Sequence, residues 1–153
     1  MKKAKPYIIS LAITFFIAIL GGVVTYAGMP KFDSLNKPFL SPPSFLFPVV
    51  WTVLYLLMAV GAARIYLKNA PKSSSALLIY AAQLFFNFWW SAIFFGFGAY
   101  LFALIWLLIL WLLVLLMILA FYKIDKISGL IQIPYLLWLT FAAYLNLGII
   151  LIN

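Results

Sequence analysis

Long apolar stretches separated by short polar breaks dominate this chain. Each stretch is about as long as the roughly 20 residues that an α-helix needs to cross a bilayer. The breaks give five predicted spans, at residues 6–27, 48–67, 75–96, 99–122 and 128–152. Residues 28–47 are predicted to form an ordered loop between the first two spans. The pattern predicts an all-α membrane protein, a five-transmembrane-helix bundle forming a single domain over residues 1–153.

The segment 37–55 changes from a loop to a helix within one sequence, KPFLSPPSFLFPVVWTVLY. Its first three prolines are too closely spaced for a membrane helix, because each removes a backbone donor and disfavours helix in the residue before it. Pro48 suits the first turn of a helix instead. Trp51 and Tyr55 then recur at helical spacing. The segment predicts a rigid loop that leads into an aromatic helix face, the arrangement of a lid over a pocket.

Composition excludes several kinds of chemistry. The 153 residues are 69% hydrophobic and include no cysteine or histidine, and the acids are Asp33 and Asp125 alone. This excludes disulfides, zinc sites and iron–sulfur sites. It also excludes catalytic mechanisms that use a Cys–His pair or a Ser–His–Asp triad. Paired-carboxylate chemistry is disfavoured because both acids are predicted in loops beside lysines. We predict no metal site and no required cofactor.

The basic residues predict an orientation in the membrane. The net charge is +8, but these residues lie at span ends, where topology and anionic lipid headgroups explain them better than nucleic acid does. Eight of the ten fall on one side of a five-span chain: Lys2, Lys3, Lys5, Arg64, Lys68, Lys72, Lys123 and Lys126. We expect a bacterial cell membrane, with the N-terminus cytoplasmic and loop 28–47 and the C-terminus outside. The length of the first span favours a retained helix over a signal peptide.

Polar and aromatic side chains recur along one face of three spans. The third span carries Tyr80, Gln83, Asn87, Trp90, Ser91 and Phe94, and the fifth carries Tyr135, Trp138, Ala142 and Asn146. The first span has a small-residue face of Thr14, Ala18, Gly21, Gly22 and Thr25. One interpretation is that the amides join helices and the small faces allow close approach. The other is a pocket of rings and amides, which suits a flat, largely apolar ligand held by stacking.

Three ordered motifs resemble one known family. The segments are KPFLSPPSFLFPVVWTVLYLLM at 37–58, QLFFNFWWSAIFF at 83–95 and PYLLWLTFAAYLN at 134–146. Together they resemble the signatures of the tryptophan-rich sensory protein / translocator protein family, whose mitochondrial members were called peripheral benzodiazepine receptors. The likeness covers nearly the whole chain.

The resemblance implies a five-helix bundle, usually a homodimer, with a pocket beneath the first loop. Ligands of the family include protoporphyrin IX, haem, isoquinoline carboxamides and benzodiazepines. By motif position, the implied ligand-binding residues are Pro42, Pro43, Phe45, Trp51, Tyr55, Asn87, Ser91, Trp138 and Ala142. The polar faces add Gln83, Trp90, Phe94, Tyr135 and Asn146. The small residues Ala81, Ala82 and Ala92 suggest the third helix as the dimer contact.

Three functions stay open at this point. The first is a membrane protein that binds and senses tetrapyrroles. The second is an enzyme that degrades protoporphyrin IX with light and oxygen, as some bacterial members of the family are reported to do, with Trp51 and Trp138 as its redox groups. The third is a porphyrin transporter, against which stand the missing coupling-ion residues and the absence of an inverted repeat. The animal sterol-recognition segment is missing here, so we claim no sterol binding.

Overall fold

The computed structural model describes residues 3–153, and every regular element in that part of the chain is helical. Five helices within it are long and apolar enough to cross a membrane. The predicted fold class, an all-α bundle of five spans, is confirmed. The elements are α1 (Ala4–Asp33), α2 (Leu46–Lys68), α3 (Ser73–Ser91) with a π-helical turn (Ala92–Phe97), α4 (Tyr100–Ile124), α5 (Lys126–Leu130) and α6 (Ile133–Ile152).

The first helix is longer than its sequence predicted. We placed residues 28–47 in a loop, but α1 continues through Pro30 to Asp33, so Asp33 ends a helix and the loop spans 34–45. Burial of Phe32 explains the extension, because its ring is only 4% exposed and packs against Phe47 and Phe95. Burying an aromatic side chain contributes about 1.5–3 kcal/mol, which offsets most of the roughly 3 kcal/mol that one proline inside a helix costs.

The last predicted span, 128–152, is divided in two. The short helix α5 ends at Leu130, and α6 begins at Ile133 with Pro134 in its first turn. Proline lacks the backbone N–H that a continuous helix would need there, although it is well suited to the start of a new one. Asp125 begins α5 by accepting a hydrogen bond from the backbone N–H of Ser128, at 3.1 Å.

The core is built around α4, which packs against α3 and α6. Its fully buried side chains recur at alternating spacings of four and three residues, the spacing that places them on one helix face. They are Ala103, Leu107, Leu110, Val114, Met117 and Phe121. The first helix contributes much less to the core, since only Thr14, Gly21 and Phe32 of its residues are buried.

The π-helical turn brings the end of α3 against α1. A Cβ atom added at Gly28 would lie 2.2 Å from the backbone oxygen of Phe95, so only glycine permits this approach. Gly98 then ends the turn with a positive φ of 65°. This left-handed residue suits the tight connection that makes α3 and α4 antiparallel neighbours, in agreement with the short break between the predicted spans 75–96 and 99–122.

An ion pair joins α2 to the connection between α4 and α5. The Nε atom of Arg64 lies 2.8 Å from Oδ2 of Asp125, and Lys68 Nζ lies 3.4 Å from Oδ1. The hydroxyl of Ser128 donates to the same carboxylate at 2.5 Å. The hydrogen bond from Arg64 holds the pKa of the Asp125 carboxyl well below its usual range. The sequence placed Arg64 among the basic residues at span ends, which topology and lipid headgroups explain, so its pairing with Asp125 is a finding of the structure.

Replacing this acid tests the ion pair. A carboxyl whose pKa is lowered by folding stabilises the protein at neutral pH, and that contribution is lost as pH falls through the folded-state pKa. We expect Asp125→Asn to lower the free energy of unfolding by about 2 kcal/mol at neutral pH, and by less in strong acid. Circular dichroism of the detergent-solubilised protein during denaturation measures this. Asp33→Asn is the control, because the Asp33 side chain is half-exposed. An equal loss of unfolding free energy in both variants would show that the buried Arg64–Asp125 pair adds no special stability.

Candidate ligand-binding site

Two adjoining cavities lie in the half of the bundle nearest loop 34–45. The larger has a volume of about 530 Å³ and lies between α1, α2 and α3. The smaller, of about 30 Å³, lies deeper and reaches α6. Their shared wall consists of Thr25, Phe47, Trp51 and Trp90. A movement of the two tryptophans would therefore join the cavities into one.

The larger cavity is aromatic and uncharged. Trp51 and Tyr55 line it from α2, Asn87 and Trp90 line it from α3, and Phe45 lines it from the loop. None of the described residues around it carries a charge at neutral pH. Hydroxyl groups and one amide provide its polar contacts. A site of this composition binds an apolar ligand by contact with rings and orients it by hydrogen bonds.

The smaller cavity is enclosed almost entirely by rings. Phe94 lines it from the π-helical turn, and Trp138, Ala142 and Asn146 line it from α6. The amide of Asn146 is held in place because its Nδ2 atom donates to the backbone oxygen of Tyr100 at 2.9 Å. The cavity is large enough for about one water molecule, so a bigger group can enter only if the wall moves.

Trp51 is the central ring of the site. Its centroid lies 5.6 Å from that of Tyr55, 6.4 Å from that of Trp90 and 6.0 Å from that of Tyr135. These separations are typical of favourable aromatic pairs. Trp138 instead contacts Phe47, with centroids 6.1 Å apart. Trp51 therefore borders both cavities, while Trp138 borders only the small one.

A chain of hydrogen bonds supports the site from behind. The hydroxyl of Tyr55 donates to Oδ1 of Asn87 at 2.5 Å, and Nδ2 of Asn87 donates to the hydroxyl of Tyr135 at 2.8 Å. Tyr135 in turn donates to Oε1 of Gln83 at 2.8 Å. The chain joins α2, α3 and α6 through four buried side chains. It therefore fixes how the three helices are rotated against one another.

The structure brings most of the predicted site residues to the two cavities. Phe45, Tyr55, Asn87 and Ser91 line the larger, Phe94, Trp138, Ala142 and Asn146 line the smaller, and Trp51 and Trp90 line both. Gln83 and Tyr135 lie behind the cavities as members of the hydrogen-bonded chain. Pro42 and Pro43 line neither cavity. Trp51 and Trp138 thus meet only at the small cavity.

One wall of the larger cavity comes from a face that the sequence did not assign to a site. Ala18, Gly21, Gly22 and Thr25 of α1 line it. A Cβ atom added at Gly21 or Gly22 would meet nothing within 4 Å, so these glycines border open space. Their small-residue spacing was the available signal. The sequence left this face open between close helix approach and a pocket wall, and the structure places open space beside both glycines.

Comparison with known proteins identifies the family. A sequence profile of the TspO/MBR family matches residues 10–152. This chain belongs to the TspO/MBR family. It is 38% identical over 142 residues to the tryptophan-rich sensory protein of Cereibacter sphaeroides, covering 90% of this chain and 89% of that one. It is 34% identical to the tryptophan-rich protein TspO of Chlorobaculum tepidum, and the match covers 95% of this chain and 97% of that protein. It is 29% identical to the translocator protein of Sus scrofa, and the match covers 94% of this chain and 89% of that protein.

Family membership confirms the resemblance drawn from the three motifs. It also agrees with the five apolar helices, and the protein is an integral membrane protein. Most of the predicted site residues of this TspO/MBR member line the cavities, and Tyr55 and Asn87 among them also belong to the hydrogen-bonded chain. Gln83 and Tyr135 belong to the chain alone.

The hydrogen-bonded chain makes a prediction about stability. Tyr135→Phe keeps the ring and removes the hydroxyl that connects Asn87 to Gln83, so both amides lose a buried partner. We expect the free energy of unfolding to fall by about 1–3 kcal/mol. Tyr144→Phe removes a hydroxyl that bonds the backbone oxygen of Phe39 at the bundle surface and should have a smaller effect. Denaturation in detergent measures both, and equal losses would count against the buried chain.

Proposed function

We propose that this protein binds and senses tetrapyrroles in the membrane, with protoporphyrin IX and haem as the expected ligands. The observation that supports this best is the cavity of about 530 Å³ bordered by Trp51, Trp90 and Tyr55. Its volume falls within the range typical of small-molecule sites. Flat aromatic ligands gain most from such rings, because stacking adds to the burial of apolar surface.

The chemistry of the site favours metal-free protoporphyrin IX over haem. Iron in haem is usually held by histidine, cysteine, methionine or tyrosine, and the chain has neither of the first two. Haem binding would therefore depend on ring contacts. Isoquinoline carboxamides and benzodiazepine-type compounds are also proposed ligands, because they combine flat rings with a few polar atoms. The word "sensory" in the name of the Cereibacter sphaeroides relative supports a sensing role.

An enzyme is the second candidate. In this alternative the protein degrades protoporphyrin IX with light and molecular oxygen, and Trp51 and Trp138 supply redox-active rings. The contacts of Trp51 with Tyr55, Trp90 and Tyr135 favour it, because neighbouring rings of this kind can share an oxidising equivalent. Trp138 has its ring contacts with Phe47 and Phe141 and is the less favourably placed of the two.

Substitution of the two tryptophans tests both functions. We expect Trp51→Phe and Trp138→Phe each to weaken protoporphyrin IX binding by about 1 kcal/mol, the scale of one aromatic contact, or roughly fivefold in Kd. Quenching of protein fluorescence measures Kd, and loss of porphyrin absorbance under illumination measures degradation, which should fall further than binding. Trp106→Phe is the control, since that indole bonds the backbone oxygen of Phe86 and lines neither cavity. Unchanged affinity in the Trp51–Trp138 double variant would remove both residues from the site.

We also propose the orientation that the charges predicted, in a bacterial cell membrane with the N-terminus cytoplasmic. Because the chain lacks cysteine, Ser34→Cys and Ser74→Cys provide clean labelling sites. Both serines are exposed, whereas the neighbouring Ser73 is buried and hydrogen-bonded to Ile65. An impermeant maleimide added to intact cells should label position 34 and not position 74. The reverse pattern would contradict the orientation.

A homodimer through α3 is a further part of the proposal. Leu78, Ala81 and Phe85 lie at helical spacing and are exposed on one face of α3. Ala92 is buried within the protomer, so its predicted place at the contact is wrong. We expect Ala81→Trp to lower the mass of the detergent-solubilised particle from dimer to monomer. Leu108→Trp, on an exposed face of α4, is the control, and an unchanged mass for Ala81→Trp would exclude this face.

A further inference from the structure

Helices α1 and α2 contact each other on both sides of the larger cavity. At one end the hydroxyl of Ser10 donates to the backbone oxygen of Ala59 at 2.7 Å, and the rings of Phe15 and Tyr55 lie 6.5 Å apart. At the other end, Phe32 meets Phe47 edge-on, with centroids 5.9 Å apart. The larger cavity lies in the interval between these contacts.

The gap between the two helices opens on the outer surface of the bundle. Ile19 and Tyr26 of α1 line the cavity, yet they are 64% and 83% exposed. Gly22 of α1 and Thr52 of α2 are also exposed and line the same cavity. Ile19 lies at the middle of a helix that crosses the membrane, so this side of the opening faces the acyl chains of the lipid.

The loop above the cavity is fastened on both sides. The side-chain amide of Asn153 accepts from the backbone N–H of Asn36 at 3.0 Å and donates to the Asn36 oxygen at 2.8 Å. The hydroxyl of Tyr144 donates to the backbone oxygen of Phe39. On the other side Ser44 donates to Asp33 at 2.6 Å. Opening the loop would break these bonds, whereas among the described residues no side-chain hydrogen bond joins α1 to α2 between Phe15 and Phe32.

From these contacts we infer that the gap between α1 and α2 is a lateral portal, through which a flat apolar ligand passes directly between the acyl-chain region and the larger cavity. This inference rests on the proposed function. A ligand with poor water solubility is concentrated in the bilayer, so a side entrance avoids its transfer into water. Gly21 and Gly22 keep the portal wide, because neither places a side chain in the opening.

Two matched variants test the portal by kinetics. Gly22→Phe puts a ring into the opening, and Ala27→Phe puts the same ring on an exposed position of α1 that lines neither cavity. The Asn36→Cys/Asn153→Cys pair, in a chain without other cysteines, allows the loop to be locked onto α6 by oxidation. Protoporphyrin IX in liposomes is the probe, and quenching of protein fluorescence gives the rates of association and dissociation.

A portal predicts a specific pattern of rates. Gly22→Phe should slow both association and dissociation by roughly tenfold, the effect of about 1.4 kcal/mol added to the barrier, with a smaller change in Kd. Gly22→Ala should give a weaker effect of the same kind, which keeps the test valid if the larger ring disturbs folding. Ala27→Phe should behave as the unmodified protein does. Locking the loop should leave both rates unchanged.

Three results would contradict these expectations, and they differ in meaning. Slower exchange after locking the loop, with normal rates in Gly22→Phe, would show entry under the loop and overturn the portal alone. Weaker binding of Gly22→Phe through faster dissociation would make Gly22 a wall of the site and not an entrance. Absence of saturable protoporphyrin IX binding in the unmodified protein would overturn the proposed function itself.

Discussion

The hydrogen-bonded chain from Tyr55 through Asn87 and Tyr135 to Gln83 is the interaction on which the site depends. All four side chains are buried, so each polar group needs a hydrogen-bond partner within the protein. These four side chains satisfy one another only if α2, α3 and α6 present particular faces. The same rotation aims Trp51 into the interior. Specific aromatic packing therefore follows from the need to satisfy polar groups.

The cavity exists because α1 is held to the bundle at separate points. Thr14 bonds Tyr80, and Thr25 bonds Ser91 at 2.7 Å, while the glycines between them leave space. Larger side chains at Gly21 and Gly22 would fill that space and give α1 more apolar contact. A binding protein instead keeps some surface unpacked, and the unfilled volume is available to a ligand.

The two ends of the bundle are stabilised differently. At the α4–α5 connection, Arg64 and Asp125 form a mostly buried ion pair with strong directional preference. Near the loop, Asn153 forms two hydrogen bonds with Asn36, Lys37 pairs with the exposed Asp33 at 3.7 Å, and Gly148 approaches Pro38 closely. The Arg64–Asp125 ion pair holds α2 to the α4–α5 connection, which carries none of the residues that line the two cavities.

Local sequence was sufficient to predict the five spans, the antiparallel turn at Gly98 and the polar faces of α3 and α6. Hydrophobic length and helical spacing depend only on residues close in the chain, so they can be recognised without a structure. The tertiary structure decided the extension of α1 past Pro30, the partner of Arg64, and the placement of Trp51 at both cavities but Trp138 at the small one alone. Each of these depends on burial or pairing between residues distant in sequence. The spacing of Gly21 and Gly22 was visible from the start, but whether a helix or an open space faces them is determined only when the helices pack.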